Sequence, residues 1–166
     1  MLELDLDKIK RLAKRRENDN LRFRTYLKGQ NGNRIDKIVH KLNAEISAQI
    51  DCKTCGNCCK VLRPYVSDSN ISFLSEKEGL SKIDFEKRYI TIDEFEGEKF
   101  LKETPCKYLE GKLCSIYGDR PEDCRSFPHL HKKHFNSRTL VVIGNYEICP
   151  IVFNVFERLK AELRFR

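Results

Sequence analysis

The chain has 166 residues, of which 40% are hydrophobic and 34% charged, with a formal net charge of +7 at pH 7. This length suits one domain with its own core plus an extension. No apolar run approaches the ~18–20 residues of a membrane span, and the N-terminus alternates acids with leucines, unlike a secretion signal. We therefore expect a cytoplasmic protein with no membrane-spanning segment.

Residues 1–50 contain no cysteine and no proline, and they hold 12 basic and 7 acidic residues. Apolar residues at helical spacing predict a first helix around Ile9 and a second, with a clearer apolar stripe, over residues 35–50. The turn-rich residues 28–33 separate them, and Asn33 is the predicted cap of the second helix. We expect residues 1–50 to form a basic helical N-terminal extension.

Short elements interrupted by Gly, Pro and Cys follow from residue 51 onward. Asp68 or Ser69 is the predicted cap of a helix over residues 71–77, and Ser81 is the predicted cap of another over residues 82–90. Two short helices are therefore expected in this part of the chain.

The remaining elements are two hairpins, a strand and a last helix. Residues 91–102 and 108–117 alternate around glycine-containing turns and predict hairpins, while residues 139–143 predict a buried strand. An apolar stripe over residues 151–163 predicts a helix. The expected fold class is α+β: a small α-rich domain with short hairpins, organised around a Cys-ligated metal centre over residues 51–166, plus the N-terminal helices.

Four cysteines lie within eight residues in Cys52-Lys-Thr-Cys55-Gly-Asn-Cys58-Cys59. Ligands at i, i+3 and i+6 allow a tight loop to surround one ion, and Gly56 lets the backbone turn. Neighbouring side chains usually point apart. We therefore expect Cys58 and Cys59 to serve two ions, or to divide into one ligand and one supporting thiol.

Two later cysteines occupy predicted helix starts, where unpaired N–H groups and the helix dipole favour a thiolate: Cys124 and Cys149, which precedes Pro150. A C-x2-C-x2-C run completed by a Cys before Pro is typical of bacterial iron–sulfur ligation. Arg120 and Arg125 are predicted to brace the surrounding loops. The candidate metal ligands are all eight cysteines: Cys52, Cys55, Cys58, Cys59, Cys106, Cys114, Cys124 and Cys149.

Disulfide bonds are the alternative use of eight cysteines. A chain of this size has its own core, no secretion signal is evident, and an adjacent cysteine pair strains ordinary disulfide geometry. Metal binding is therefore the favoured interpretation over disulfides or unliganded thiols.

The cysteine spacing resembles that of the CxxCxxCC cysteine-cluster family, called YkgJ-like and described as zinc- or iron-chelating domains. The resemblance rests on four segments: Cys52-x2-Cys55-Gly56-x-Cys58-Cys59, Pro105-Cys106 with Leu109, Cys114-Ser115-Ile116-Tyr117-x2-Arg120-Pro121-x2-Cys124-Arg125-x-Phe127-Pro128, and Cys149-Pro150. It implies a metal bound by the eight cysteines. Longer flagellin lysine methylases have a similar cysteine pattern, but no recognisable methyl-donor pocket is evident in this sequence.

Spacing alone does not separate an iron–sulfur cluster from zinc, because both take tetrahedral thiolate sets. We slightly prefer an iron–sulfur cluster with a redox or accessory role. The alternative is a structural zinc module that mediates protein or nucleic-acid interaction, since an all-cysteine site has no open position for a catalytic water. No Ser/His/Asp set, phosphate loop or carboxylate pair stands out, so no catalytic residue is assigned.

The basic residues 10–16, followed by aromatics at Phe23 and Tyr26, raise nucleic-acid binding as a hypothesis. A solvated helix face is the commoner meaning of such a run, and a protein partner for the N-terminal helices is favoured over nucleic acid. His129 and His131 share a face if they lie in a strand, where a weak metal site could form. With His134, we expect them instead to be exposed loop residues.

Overall fold

The computed structural model describes residues 1–166 and is 59% helical, which confirms the α+β class. None of its helices combines the length and hydrophobicity needed to cross a membrane. The helices are, in chain order, α1 (Leu6–Arg15), α2 (Glu17–Lys28), α3 (Gly32–Ser47), α4 (Cys52–Cys55), α5 (Asn57–Val61), α6 (Asp68–Lys77), α7 (Lys82–Tyr89), α8 (Glu122–Ser126), α9 (Phe135–Tyr146) and α10 (Pro150–Glu162).

Four short strands form two separate antiparallel hairpins, as the sequence predicts. Strand β1 (Ile90–Ile92) pairs with β2 (Lys99–Leu101), and β3 (Leu109–Glu110) pairs with β4 (Leu113–Cys114).

The chain forms two compact units. The helical unit comprises Met1–Asp51 and Pro128–Arg166, and the cysteine unit comprises Cys52–Phe127. The sequence analysis placed residues 51–166 in one domain, whereas residues 128–166 pack with the N-terminal helices. The reason is that α10 lies against α3, and α9 lies against α2 and α3, so that their apolar faces share one core.

Helix α10 is the central element of the helical unit. Its first seven residues are almost entirely buried, and the fully buried Phe156 meets Phe23 of α2 edge to face at 5.2 Å. Ile9, Ile35 and Val39 are also fully buried. Burial of each large apolar side chain stabilises the unit by about 1.5–3 kcal/mol, so packing rather than local helix propensity holds these helices.

The strand predicted over residues 139–143 is wrong, because these residues lie inside α9. The helix buries Thr139 and Val142 while Leu140 and Val141 are exposed. This is helical rather than alternating burial. A five-residue apolar run does not by itself distinguish a buried strand from a helix.

The helix caps are of the predicted residue types, but two of the three lie at other positions than predicted. Ser81 caps α7 as predicted. Helix α6 is capped by Ser67, not by Asp68 or Ser69, and α3 is capped by Asn31, not by Asn33. The N-terminal segment also contains one more helix than predicted, because residues 17–28 form α2.

The cysteine unit has a small core of seven buried side chains: Val66, Ile71, Leu74, Phe85, Leu101, Tyr108 and Ile116. Cys106 and Cys114 pack against its edge. Lys99 of β2 forms ion pairs with Asp68 at 2.8 Å and Glu86 at 2.7 Å, and thereby links the hairpin to α6 and α7. The core therefore supports two of the cysteines directly.

The start of α9 is capped by a residue from another helix. His134 precedes α9 and has a left-handed backbone, with no capping hydrogen bond from its side chain. Asp36 of α3 accepts hydrogen bonds from the N–H groups of His134 at 2.8 Å and Phe135 at 2.9 Å. Because Asp36 is only 7% exposed, these bonds are shielded from water.

We expect Asp36→Ala to lower the free energy of unfolding by about 1–3 kcal/mol, because it leaves two helix-start N–H groups without an acceptor. Asp36→Asn keeps one acceptor oxygen and should lower the free energy of unfolding by less than Asp36→Ala does. Thermal and urea denaturation measure both. The control is Asp19→Ala, which removes an exposed carboxylate paired only with Arg22 on its own helix and should cost no more than about 0.5 kcal/mol. Equal losses for Asp36→Ala and Asp19→Ala would contradict the capping role.

Candidate metal centre

The first four candidate ligands lie on two consecutive short helices. Cys52 and Cys55 are the end residues of α4, whereas Cys58 and Cys59 lie within α5. Gly56 joins the helices with φ +60°, and its N–H donates to the Cys52 carbonyl at 3.2 Å. Glycine adopts this left-handed conformation without a steric penalty, so a single residue forms the connection between α4 and α5.

The turn at Gly56 lies directly against the second hairpin. A Cβ atom at Gly56 would be 2.7 Å from the Lys112 carbonyl oxygen, a distance that real Cβ atoms essentially never show. Lys112 lies in the turn between β3 and β4, and β4 contains Cys114. The absence of a side chain at Gly56 therefore allows the first cysteine segment to reach the Cys114 hairpin.

Cys106 is joined to the same segment through the backbone. Its N–H donates to the Cys59 carbonyl at 2.8 Å, and its own carbonyl accepts from Leu109 N–H at 2.9 Å. Leu109 is paired with Cys114 across the hairpin. A continuous set of backbone contacts therefore links Cys59, Cys106 and Cys114.

Two arginines brace the loop that leads to Cys124, as the sequence predicts. Arg125 donates to the carbonyls of Gly118 at 2.7 Å and Arg120 at 3.0 Å. Arg120 donates to the Tyr117 carbonyl at 2.6 Å, and its guanidinium lies 3.6 Å from the centre of the Tyr117 ring. The sequence analysis included Tyr117 in the family motif but gave it no role, because stacking on an exposed ring has no periodic signal.

The thiols near Cys59 differ in their acidity. A hydrogen bond from Cys58 lowers the pKa of Cys59 to about 6, and the positive charge of Arg120 acts in the same direction. Burial raises the pKa of Cys106 and of Cys114, and the negative charge of the Cys59 thiolate acts in the same direction. Without a metal, Cys59 is therefore the favoured thiolate, and Cys106 and Cys114 are favoured as protonated thiols.

The prediction that Cys124 lies at a helix start is confirmed, because it is the third residue of α8, but the expected shift toward thiolate is wrong. Burial, followed by the negative charge of Asp123, raises the pKa of Cys124 to about 12. Helix α8 has only five residues, and its dipole is too weak to offset this burial.

The sulfur atoms of Cys58 and Cys59 lie 3.9 Å apart, although adjacent side chains were expected to point apart. Two thiolates bound to one tetrahedral ion at ~2.3 Å have sulfurs about 3.8 Å apart, so the pair fits one ion. No three His, Cys, Asp or Glu side chains are arranged as a complete metal site. The thiol chemistry and this sulfur–sulfur distance are thus the features that fit a metal.

Cys149 lies in the helical unit, apart in sequence from the cysteines of the other unit. It is the N-cap of α10 with Pro150 in the first turn, which confirms its predicted helical position. Its side chain is buried, and its carbonyl accepts from Phe153 N–H at 2.9 Å. Its role as a metal ligand stays a prediction.

The histidine segment is a loop rather than a strand. His129 and His134 have φ values of +60° and +62°, and His131 and His134 are exposed. Arg138 donates to the carbonyls of His129 and Lys132 and thereby holds the loop. The expectation of loop histidines is therefore confirmed, whereas their expected exposure holds for His131 and His134 but not for the half-buried His129.

We expect Gly56→Ala to destabilise the cysteine unit and to reduce its bound metal, because the added methyl group meets the Lys112 carbonyl oxygen. Gly79→Ala is the matched control, since Gly79 also has a positive φ of +66° but has open space around it. In the control, the free energy of unfolding should fall by only ~1–2 kcal/mol, the cost of placing alanine in the left-handed conformation. Thermal unfolding and elemental analysis of both variants separate the two effects. Equal losses would show that the approach to Lys112 has no structural importance.

All eight cysteines are thiols, and none forms a disulfide bond. A family model described as "CxxCxxCC: Putative zinc- or iron-chelating domain" matches residues 51–141, more than half of the chain, and its range ends before Cys149. No curated protein and no solved structure matches the chain significantly. From its cysteine spacing and this match, the chain belongs to the CxxCxxCC family of zinc- or iron-chelating domains.

Proposed function

We propose that the cysteine unit holds an iron–sulfur cluster with a redox or accessory role. The observation that carries this proposal is that thiols from four chain segments lie near one another, since Cys59, Cys106 and Cys114 all raise the pKa of Cys124. The backbones of Cys59, Cys106 and Cys114 are linked by the Cys59–Cys106 hydrogen bond and the β3–β4 hairpin. Four cysteine thiols are the donors that a four-iron cluster requires.

The other cysteines of this unit complete the proposed ligand set. Cys58 lies beside Cys59, and Cys52 and Cys55 lie on the adjoining helix α4. Cys149 is included on the sequence pattern alone. Seven of the eight proposed ligands therefore belong to the cysteine unit. There they would form either a single site or two sites.

The chain's own residues would hold the group and limit its exposure to water. The thiols of Cys106, Cys114 and Cys124 are partly buried and retain their protons in the metal-free protein, so metal binding must release them. Arg120 favours negative charge on Cys59 and Cys114. When bound, an iron–sulfur cluster supplies one-electron transfer.

Structural zinc is the second candidate. The 3.9 Å separation of the Cys58 and Cys59 sulfurs is close to the ~3.8 Å expected for two ligands of one tetrahedral zinc ion. In this case the metal would stabilise a unit with a small hydrophobic core, and the helices would provide the contacts with a protein or nucleic-acid partner.

Absorption spectroscopy and elemental analysis of protein purified without oxygen and without added metal distinguish the two candidates. Iron with stoichiometric sulfide, a broad visible band near ~400 nm and reversible bleaching by dithionite are expected for the cluster. A colourless protein with stoichiometric zinc and no response to dithionite would overturn the iron–sulfur proposal and support the structural zinc site. Neither metal at stoichiometric level would contradict both.

We expect Cys58→Ser to lower metal content and thermal stability together, because metal binding contributes to the folding free energy. Lys60→Gln, an exposed change on the same helix, should alter neither. Elemental analysis and thermal melts measure both quantities. Unchanged metal content and stability in Cys58→Ser would refute the role of Cys58. Metal retained in Cys149→Ser would remove that residue from the ligand set.

A further inference from the structure

The net positive charge of the chain lies in only one of its two units. The helical unit, residues 1–51 and 128–166, contains 19 basic and 11 acidic residues, which gives a net charge of +8. The cysteine unit contains 13 basic and 14 acidic residues and has a net charge of −1. The bias that the sequence placed in residues 1–50 therefore extends through the C-terminal helices that pack with them.

The solvent-facing side of α1 is a positively charged surface of the helical unit. Lys10, Arg11, Lys14 and Arg15 are all exposed, and none of them forms an ion pair. Asp7 is the one acidic residue of the helix. With a rise of 1.5 Å per residue, cations four residues apart lie about 6 Å apart along the axis. These four residues are called the α1 basic face.

The opposite side of α1 is already used by the core. Ile9 is fully buried, and Leu6, Leu12 and Ala13 are half-buried. The α1 basic face thus offers no apolar side chain to insert into a lipid surface. It also contains no aromatic residue, the usual anchor of a protein interface.

We infer that the helical unit binds the phosphate backbone of nucleic acid through the α1 basic face. A polyanion is the partner that gains affinity from closely spaced, unpaired cations without needing apolar anchors, because binding releases its condensed counterions. Contacts of this kind position a protein on the backbone and do not read the base sequence. Binding should therefore be strongly salt-dependent and tolerant of sequence.

The test uses the full-length, metal-loaded chain and a short fluorescent DNA duplex of mixed sequence, with affinity measured by anisotropy between about 50 and 200 mM salt. Four phosphate contacts predict a slope of about −3.6 for log K against log salt concentration. The double variant Lys14→Gln/Arg15→Gln should reduce the magnitude of this slope by about 2. Lysine, arginine and glutamine have similar helix propensities, so circular dichroism and thermal melts should show an intact fold.

The matched control is Lys82→Gln/Lys87→Gln, which removes two exposed cations from α7 of the cysteine unit. Its affinity and salt slope should equal those of the wild type. The inference is overturned if the wild type does not bind at about 50 mM salt, or if both double variants change the slope equally. Tighter binding to poly-glutamate or to phosphatidylserine vesicles than to the duplex would also overturn it and would indicate an acidic protein or a membrane surface instead.

Discussion

The hydrogen bond from Cys106 N–H to the Cys59 carbonyl, together with the contact of Gly56 with Lys112, brings distant parts of the cysteine unit together. Both are contacts between backbones, and the cysteine side chains follow from them. Because a left-handed residue without a Cβ is required at Gly56, one glycine determines whether the first cysteine segment reaches the hairpin that contains Cys114. The position of the thiols is thus a consequence of main-chain packing.

This packing explains why folding and metal binding are expected to depend on each other. The cysteine unit has a core of only seven buried side chains, and Cys106 and Cys114 lie at its edge. Burial raises the pKa of Cys106, Cys114 and Cys124, so negative charge at these thiols is unfavourable until a cation is present. A metal would offset that cost and cross-link segments that are otherwise joined by a small core and a few backbone contacts.

The helical unit is stabilised in a different way. Its stability comes from the buried face of α10 and from buried polar contacts such as those of Asp36, while the cations of the α1 basic face are exposed. The two units therefore separate two kinds of chemistry. Seven of the eight thiols and a net charge of −1 belong to the cysteine unit, whereas Cys149 and a net charge of +8 belong to the helical unit. A metal-dependent activity and the binding of a polyanion could accordingly be altered by different sets of substitutions.

The sequence by itself determined the local features: the cap at Ser81, the two hairpins, the helix that starts at Cys149, and the cysteine pattern of the family. These depend on contacts between residues close in the chain, which propensity and spacing describe. Tertiary structure alone decided that residues 139–143 are helical and that burial raises the pKa of Cys124. It also decided that Gly56 meets Lys112 and that Asp36 caps α9. Each of these depends on burial or on a contact between distant segments, which periodicity does not encode.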